Sequence, residues 1–506
     1  MHAKTFTKKY NLSLVRVGAD EKVFSNLKTV LKELGSILVI LGVLMFLLLV
    51  VAYVFGELYV IKPLVFTAIA ALALGLSLRF SFKSAKEPEF KHAMVCAALA
   101  WLVVPALSSL LFIMIEDMSP LDSLFEAMSG WTGTGLTMIA HPSSLTHTTQ
   151  FWRSLMQWVG GVGVIVLMLS ILARPGTGAF SLYKAEAREE RIKPSIISTV
   201  RMTWWIYLIL TSFGILLFFL AGMKPWEAIN HAMTAIGTGG FTVTDKSMAY
   251  YNNFLIELAI IPMMILGAIP FLVHYRVLKG NLKALFKDVQ CRAFVVILFI
   301  LLISLFAANY SLYRDVLGCL RFSSFQLISG LTCTGFQTTS VHGWSGTGLI
   351  IMCMSMIIGG GAGSTAGGVK LIRAVIAYKW IRWSLRRNFL PPRAIISVRL
   401  GDRLLEREEI VKIVSEASLI IILWLLFLFT GICVLSSVVC PQFQLGEVMF
   451  EVASAQGNVG LSTGITNAGM SCIGKVMLIL NMWIGRLEII PVLMLFRVLV
   501  KGFEPI

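Results

Sequence analysis

Apolar residues in this chain come in long uninterrupted runs, not in alternation and not as one stripe of an amphipathic helix. A hydrocarbon layer about 30 Å thick needs roughly 20 helical residues to cross it. Runs near that length or longer lie at 33–55, 58–78, 93–115, 150–173, 202–222, 254–273, 293–310, 347–380, 413–438 and 472–496. The first, Glu33 to Phe55, carries no charge after its opening residue. Between the long runs lie four apolar segments of about half that length, beginning near Pro120, Pro225, Arg321 and Gln444. About ten residues cannot cross a bilayer, so each is predicted to enter and come back. After two leading spans the chain thus repeats span, half-length helix, loop, span four times. The predicted divisions are 1–91 (N-terminus and two extra spans), 92–201, 202–290, 291–411 and 412–506.

Composition agrees with that pattern: 57% of residues are hydrophobic, 14% are charged, and mean hydropathy is +0.82. A water-soluble chain of 506 residues would need more charge to cover its surface. The first 32 residues are polar and basic, and no small-residue cleavage site follows the first apolar run, so that run is expected to remain a span. The net charge of +16 falls where orientation would put it. With a cytoplasmic N-terminus, every lysine and arginine lies on the inside except Lys62, Arg153, Lys224, Lys246, Arg314, Arg321, Lys475 and Arg486. This bias puts both termini in the cytoplasm and makes nucleic acid an unneeded explanation of the charge. The basic stretches are expected to touch anionic lipid. Eight cysteines are scattered without a CxxC, and Cys96, Cys353 and Cys433 fall within spans as small buried hydrophobes.

The loops after the half-length helices carry the chemistry. They read Ser129-GWTGTGLTM, Thr234-AIGTGGFTV, Ser329-GLTCTGFQT and Ser454-AQGNVGLST. The seventh position is glycine in every copy (Gly135, Gly240, Gly335, Gly460), and a large apolar residue follows (Leu136, Phe241, Phe336, Leu461). Three residues before each opening Ser or Thr stands a polar group: Glu126, His231, Gln326 and Glu451. At average glycine usage, four at one chosen column is about a 1-in-40,000 coincidence. Irregular backbone at membrane depth survives only where protein buries it or water lines it. Loops of glycine and threonine can aim successive carbonyls at one axis and replace a cation's hydration shell. The half-helices before them would point partly negative C-terminal ends at the same place. The expected fold is therefore an all-α polytopic membrane protein of four pseudo-symmetric helix–pore loop–helix units around one pore, plus two extra N-terminal transmembrane helices.

These loops, together with Gln157-WVGGVGVIVL, Leu182-YKAEA, Gly359-GGAGSTAGGVK and Gly485-RLEI, resemble the Trk/Ktr/HKT superfamily of potassium transporters, and within it the Trk-type (TrkH/TrkG-like) membrane subunit of bacteria and archaea. The resemblance covers nearly the whole chain. It implies potassium uptake across the plasma (inner) membrane, with filter carbonyls from Gly133, Thr134 and Gly135; Thr238, Gly239 and Gly240; Cys333, Thr334 and Gly335; Asn458, Val459 and Gly460. Glycine rather than serine at position 135 goes, in that superfamily, with potassium rather than sodium. Gly133 and Cys333 depart from the threonine often found at their column, a difference of little weight if backbone oxygens coordinate.

The run 347–380 is too long for one straight span, and its middle, Gly359, Gly360, Gly361, Ala362, Gly363, Ser364, Thr365, Ala366, Gly367 and Gly368, favours unwinding. It reads as a helix–loop–helix in the membrane beneath the filter; a close-packed helix interface of small residues is the plainer reading. It fails the phosphate-cradle pattern because Val369 precedes Lys370. Arg486, inside an apolar span, should face a pore or a partner, with Glu488 the nearest candidate. The resemblance makes the 359–368 loop, Lys370 and Arg486 a gate. It also implies a homodimer, one pore per chain, and a cytoplasmic nucleotide-binding regulatory subunit (TrkA-like). The basic segment 379–412, with Arg382, Arg386, Arg387, Arg393 and Arg399, could dock that subunit or lie on lipid. The acids Glu116, Asp117 and Asp122 could enrich cations at the mouth or serve solvation. Potassium is the one ion implied, no organic cofactor is expected in this chain, and the absence of HExxH or GxSxG argues against an enzyme. The alternative is a secondary transporter of sodium or a small solute, which also uses broken helices and repeats.

Overall fold

The computed structural model describes residues 3–172, 196–389, 391, 398–400, 403–405, 407–439 and 441–503. The Leu182 motif and Arg393 lie outside the described residues, as does the side chain of Arg399. The described residues are helices and their connections, apart from one short antiparallel ladder pairing Val398–Leu400 with Arg403–Leu405. Six helices among the described residues are long and apolar enough to cross a membrane: Ser25–Val54, Leu58–Ser81, Phe90–Glu116, Ser198–Leu220, Val289–Tyr313 and Glu408–Val438.

The chain divides into two compact units, Met1–Leu107 with Ile490–Ile506, and Ser108–Ile489. In the first, helices Ala3–Val54 and Ile61–Ser81 approach so closely that a Cβ on Gly35 would lie 2.7 Å from the Gly75 carbonyl oxygen, and one on Gly75 would lie 2.8 Å from that of Gly35. Small residues allow this backbone contact. Nearby, buried His92 bonds Asn26 Oδ1 at 2.8 Å and accepts from the Glu89 N–H at 2.9 Å.

The second unit holds all four half-length helices: Pro120–Thr132, Pro225–Ile236, Val316–Leu331 and Leu445–Gln456. Proline at the first turn, Asp315 as N-cap, and the Gln444–Glu447 capping box set where they start. The third begins at Val316, not near Arg321, because Asp315 accepts the Leu317 and Gly318 N–H groups and starts the helix a turn earlier.

Two expected spans are broken. The segment 254–273 ends as Phe254–Ala268 and resumes at Phe271–Leu278 after a bend of 106°. Pro270 supplies no N–H there. The run 472–496 stops at Arg486, and the next helix opens at Ile490, with Glu488 and Ile489 between them at φ of 53° and 70°. The 347–380 run is broken as predicted, into Gly346–Ile358 and Leu371–Asn388. Cys96 and Cys353 are buried, whereas Cys433 is exposed, because it faces outward from its long helix.

Candidate functional site

The four half-helices end in one shared geometry. The N–H groups of Thr134, Gly239, Thr334 and Val459 donate to the carbonyls of Ser129, Thr234, Ser329 and Ser454 at 2.8–2.9 Å. Each bond closes the helix end with a residue in the left-handed region: Gly133 (φ 65°), Thr238 (48°), Cys333 (56°) and Asn458 (52°). The chain then turns back through the shared glycine.

Those glycines stand in a ring. A Cβ on Gly135 would lie 2.1 Å from Gly239 O; on Gly240, 2.2 Å from Thr334 O; on Gly335, 2.0 Å from Val459 O; and on Gly460, 2.3 Å from Thr134 O. Each loop thus presses its glycine against the carbonyl of the next, and the fourth closes on the first. The φ angles of 90°, 77°, 85° and 95° exclude side chains independently. The glycine column therefore reflects a contact around one axis.

The polar column three residues before each loop grips the strand that leaves it. Glu126 accepts from Thr137 Oγ1 and the Met138 N–H; His231 Nε2 accepts the Val243 N–H at 3.3 Å; Gln326 accepts the Thr338 N–H and donates to Thr339 O. Glu451 accepts from Ser462 Oγ, from the N–H and Oγ1 of Thr463, and from the Thr466 N–H. All four side chains are fully buried.

Arg153, which sequence reasoning placed among the outer charges, is buried among these loops. Its Nε donates to Glu126 Oε1 at 2.8 Å and its Nη1 to Thr242 O at 2.9 Å, while the guanidinium lies 4.1 Å from the centre of the Phe241 ring. It ties the first loop to the second. The signal available was its position: a charge four residues before Gln157 in a run that carries no other Lys, Arg, Asp or Glu. Farther out the same two loops meet again, with Asp245 beside His141 and accepting the Ser143 N–H at 2.9 Å. Burial acts to raise the Asp245 carboxyl, but the Ser143 bonds and His141 outweigh it and hold it below the usual carboxylate range.

On the side away from the half-helix N-termini, the 359–368 loop lies across the ends of the half-helices. A Cβ on Gly367 would lie 2.1 Å from Gly457 O. Thr365 Oγ1 is 2.9 Å from both Ile236 O and Gly267 O, and Thr238 Oγ1 donates to it at 3.2 Å. The N–H groups of Gly361 and Thr365 reach the carbonyls of Ala268 and Gly267, which the break before Pro270 leaves without helical donors. The neck of the loop is stitched by Val369 and Lys370 N–H to Ile357 and Ile358 O, and Lys370 Nζ donates to Ala366 O.

Arg486 is buried against this loop. Its Nη1 donates to Thr365 O at 3.0 Å and its Nη2 to Gly160 O at 2.8 Å; its Cζ is 3.9 Å from a Cβ placed on Gly133. Glu488, its nearest candidate partner in sequence, instead pairs with Arg373. Of the outer acids, Glu116 accepts from Thr146 and Asp122 pairs with Lys475, so neither is a free charge at a mouth.

A family model described as a cation transport protein, TrkH, matches residues 61–502. An uncharacterized cation transporter of Methanocaldococcus jannaschii is 35% identical over 94% of this chain and 96% of its own length. The Trk system potassium uptake protein TrkH of Escherichia coli is 31% identical over 85% of this chain and 90% of its own. The crystal structure of the potassium transporter TrkH from Vibrio parahaemolyticus superposes with a TM-score of 0.80 at 28% identity, covering 93% of this chain and 98% of that one. These relatives are transporters, not enzymes. This chain is a multi-pass membrane protein and belongs to the TrkH family of cation transport proteins.

Proposed function

We propose that this chain takes up potassium across the plasma membrane through the ring of four loops, with the 359–368 loop and Arg486 as its gate. The ring carries the reading: four left-handed turns and four mutually pressed glycines bring four carbonyls of one layer, Thr134, Gly239, Thr334 and Val459, around a single axis. Main-chain oxygens in that arrangement can substitute for the water around a monovalent cation. Potassium uptake by the Escherichia coli relative supports the choice of ion.

The gate reading rests on position. Arg486 holds a charge in a buried place beside Gly133 and binds loop and helix carbonyls, with no carboxylate among the described residues in hydrogen-bond reach. A fixed positive charge below the filter opposes cation passage, and the loop it holds blocks the path. Both termini in the cytoplasm, a homodimer, and a cytoplasmic nucleotide-binding subunit acting on the gate complete the proposal; the relative's membership of a named Trk system supports the last.

Purified protein in proteoliposomes tests this. Potassium influx should exceed sodium influx, and Arg486→Ala should raise potassium flux several-fold. Equal uptake of both ions would defeat the filter assignment. Unchanged flux of folded Arg486→Ala would defeat the gate.

A further inference from the structure

In the position before the shared glycine, one loop stands apart. The sixth position is Thr134 in the first, Thr334 in the third and Val459 in the fourth, but Gly239 in the second. The structure supplies a reason. A Cβ on Gly239 would lie 2.4 Å from Cδ and 2.4 Å from Oε1 of Gln157, a fully buried side chain from helix His147–Leu172 of the first unit. Gln157 Nε2 donates to Gly239 O at 2.6 Å, and its Oε1 accepts the Phe241 N–H at 3.0 Å. The amide brackets Gly240 as a neighbouring strand would. Gly239 is glycine because Gln157 stands where its side chain would be.

In the proposed filter Gly239 O belongs to the coordinating layer, and it lies against Gly135 just as Thr334 O lies against Gly240. A carbonyl oxygen has two lone pairs. A donor on one of them reduces what the oxygen offers a cation and fixes where it points. We infer that Gln157 is a specificity-determining residue: its side-chain amide weakens and positions the Gly239 carbonyl, biasing the layer against the smaller sodium ion. The sign follows from field strength. A stronger oxygen ligand favours the smaller ion, which has more to gain from close approach, and a slack loop can close around it as well. Both consequences of losing Gln157 therefore act in one direction. Arg153, one turn earlier on the same helix, braces the first loop to the second but donates to no carbonyl of this layer.

The inference rests on the proposed potassium filter, and its test separates the two. Potassium, rubidium and sodium flux would be measured in proteoliposomes for the wild type, Gln157→Leu and Gln157→Glu, each first shown to be monodisperse. Leu removes both bonds while filling the space; Glu, assayed at alkaline pH as the carboxylate, keeps the acceptor for Phe241 and loses the donor to Gly239. Both variants should lower the potassium-to-sodium ratio by about fivefold, roughly what one net hydrogen bond sets, with Glu at least as strongly affected as Leu. An unchanged ratio in either folded variant beside a selective wild type overturns the role of Gln157 alone. A wild type without selectivity overturns the filter itself. If Leu fails to fold, the Glu variant decides.

Discussion

At the residue scale, the constraint on the glycine ring is steric. Gly335 has φ of 85°, and its missing Cβ would stand 2.0 Å from Val459 O. An L-residue in the left-handed region costs roughly 1–2 kcal/mol, but a carbonyl at that distance cannot be tolerated at all, so loop three or loop four must move. Gly335→Ala is therefore expected to cut potassium flux by about tenfold or more, and to erode selectivity in what remains, while overall helicity measured by circular dichroism stays as in the wild type. A normal flux ratio would mean that the ring does not set the ligand positions. The same column shows what one sequence can tell. Glycine at four equivalent places was legible because every unit meets its neighbour in the same way. Gly239 was named there as well, but not the reason it is glycine, which lies in Gln157, a residue 82 positions away on another unit's helix.

At the element scale, the half-helices and their loops are held by side chains with no common chemistry. Glu126 has Arg153, Glu451 has four neutral donors, and Gln326 and His231 do the same work uncharged. Removing the cation from a buried pair leaves an uncompensated charge and costs about 3–5 kcal/mol. Arg153→Met should accordingly lower the apparent unfolding temperature in detergent, and Glu126→Gln in the same chain should recover most of the loss, since the third loop already works with Gln326 at that place. Failure of the double variant to recover would show that the Phe241 and Thr242 contacts of Arg153 dominate over its charge. The polar column could be seen in the sequence without its purpose, because a hydrogen bond to a returning strand leaves no periodicity. The breaks at Ile269–Pro270 and Leu487–Ile489 were also missed. Both segments are largely apolar on either side of the break, and hydropathy records length in the membrane but not direction. Pro270 was a visible signal; Glu488 and Ile489 at positive φ had none.

At the scale of the whole molecule, four units strung along one chain must close into a ring, and only the junction between the fourth and the first joins parts far apart in sequence. Besides the press of Gly460 on Thr134 O, side chains cross it, among them Arg486 bonding Gly160 O. Asn458 Nδ2 donates to Thr134 Oγ1 at 3.0 Å beside the glycine ring, and Lys475 pairs with Asp122 at the start of the first half-helix. Consecutive units have the connecting chain to keep them near each other; this junction has no such tether. The other junctions carry comparable stitches, Arg321 to Glu257 between the third and second units and His342 to Glu447 between the third and fourth, but each is backed by a shorter loop to close. Lys475 and Asp122 are both largely shielded, so either charge left single is costly. Lys475→Met and Asp122→Asn should each reduce thermal stability and flux together, and the exchange Asp122→Lys with Lys475→Asp should restore both toward the wild type. Loss of the Arg321–Glu257 pair should cost less, because its guanidinium is more exposed and solvent screens it. If the two pairs proved equally important, ring closure would have to be assigned to the apolar packing of the units and not to the charges at the last seam.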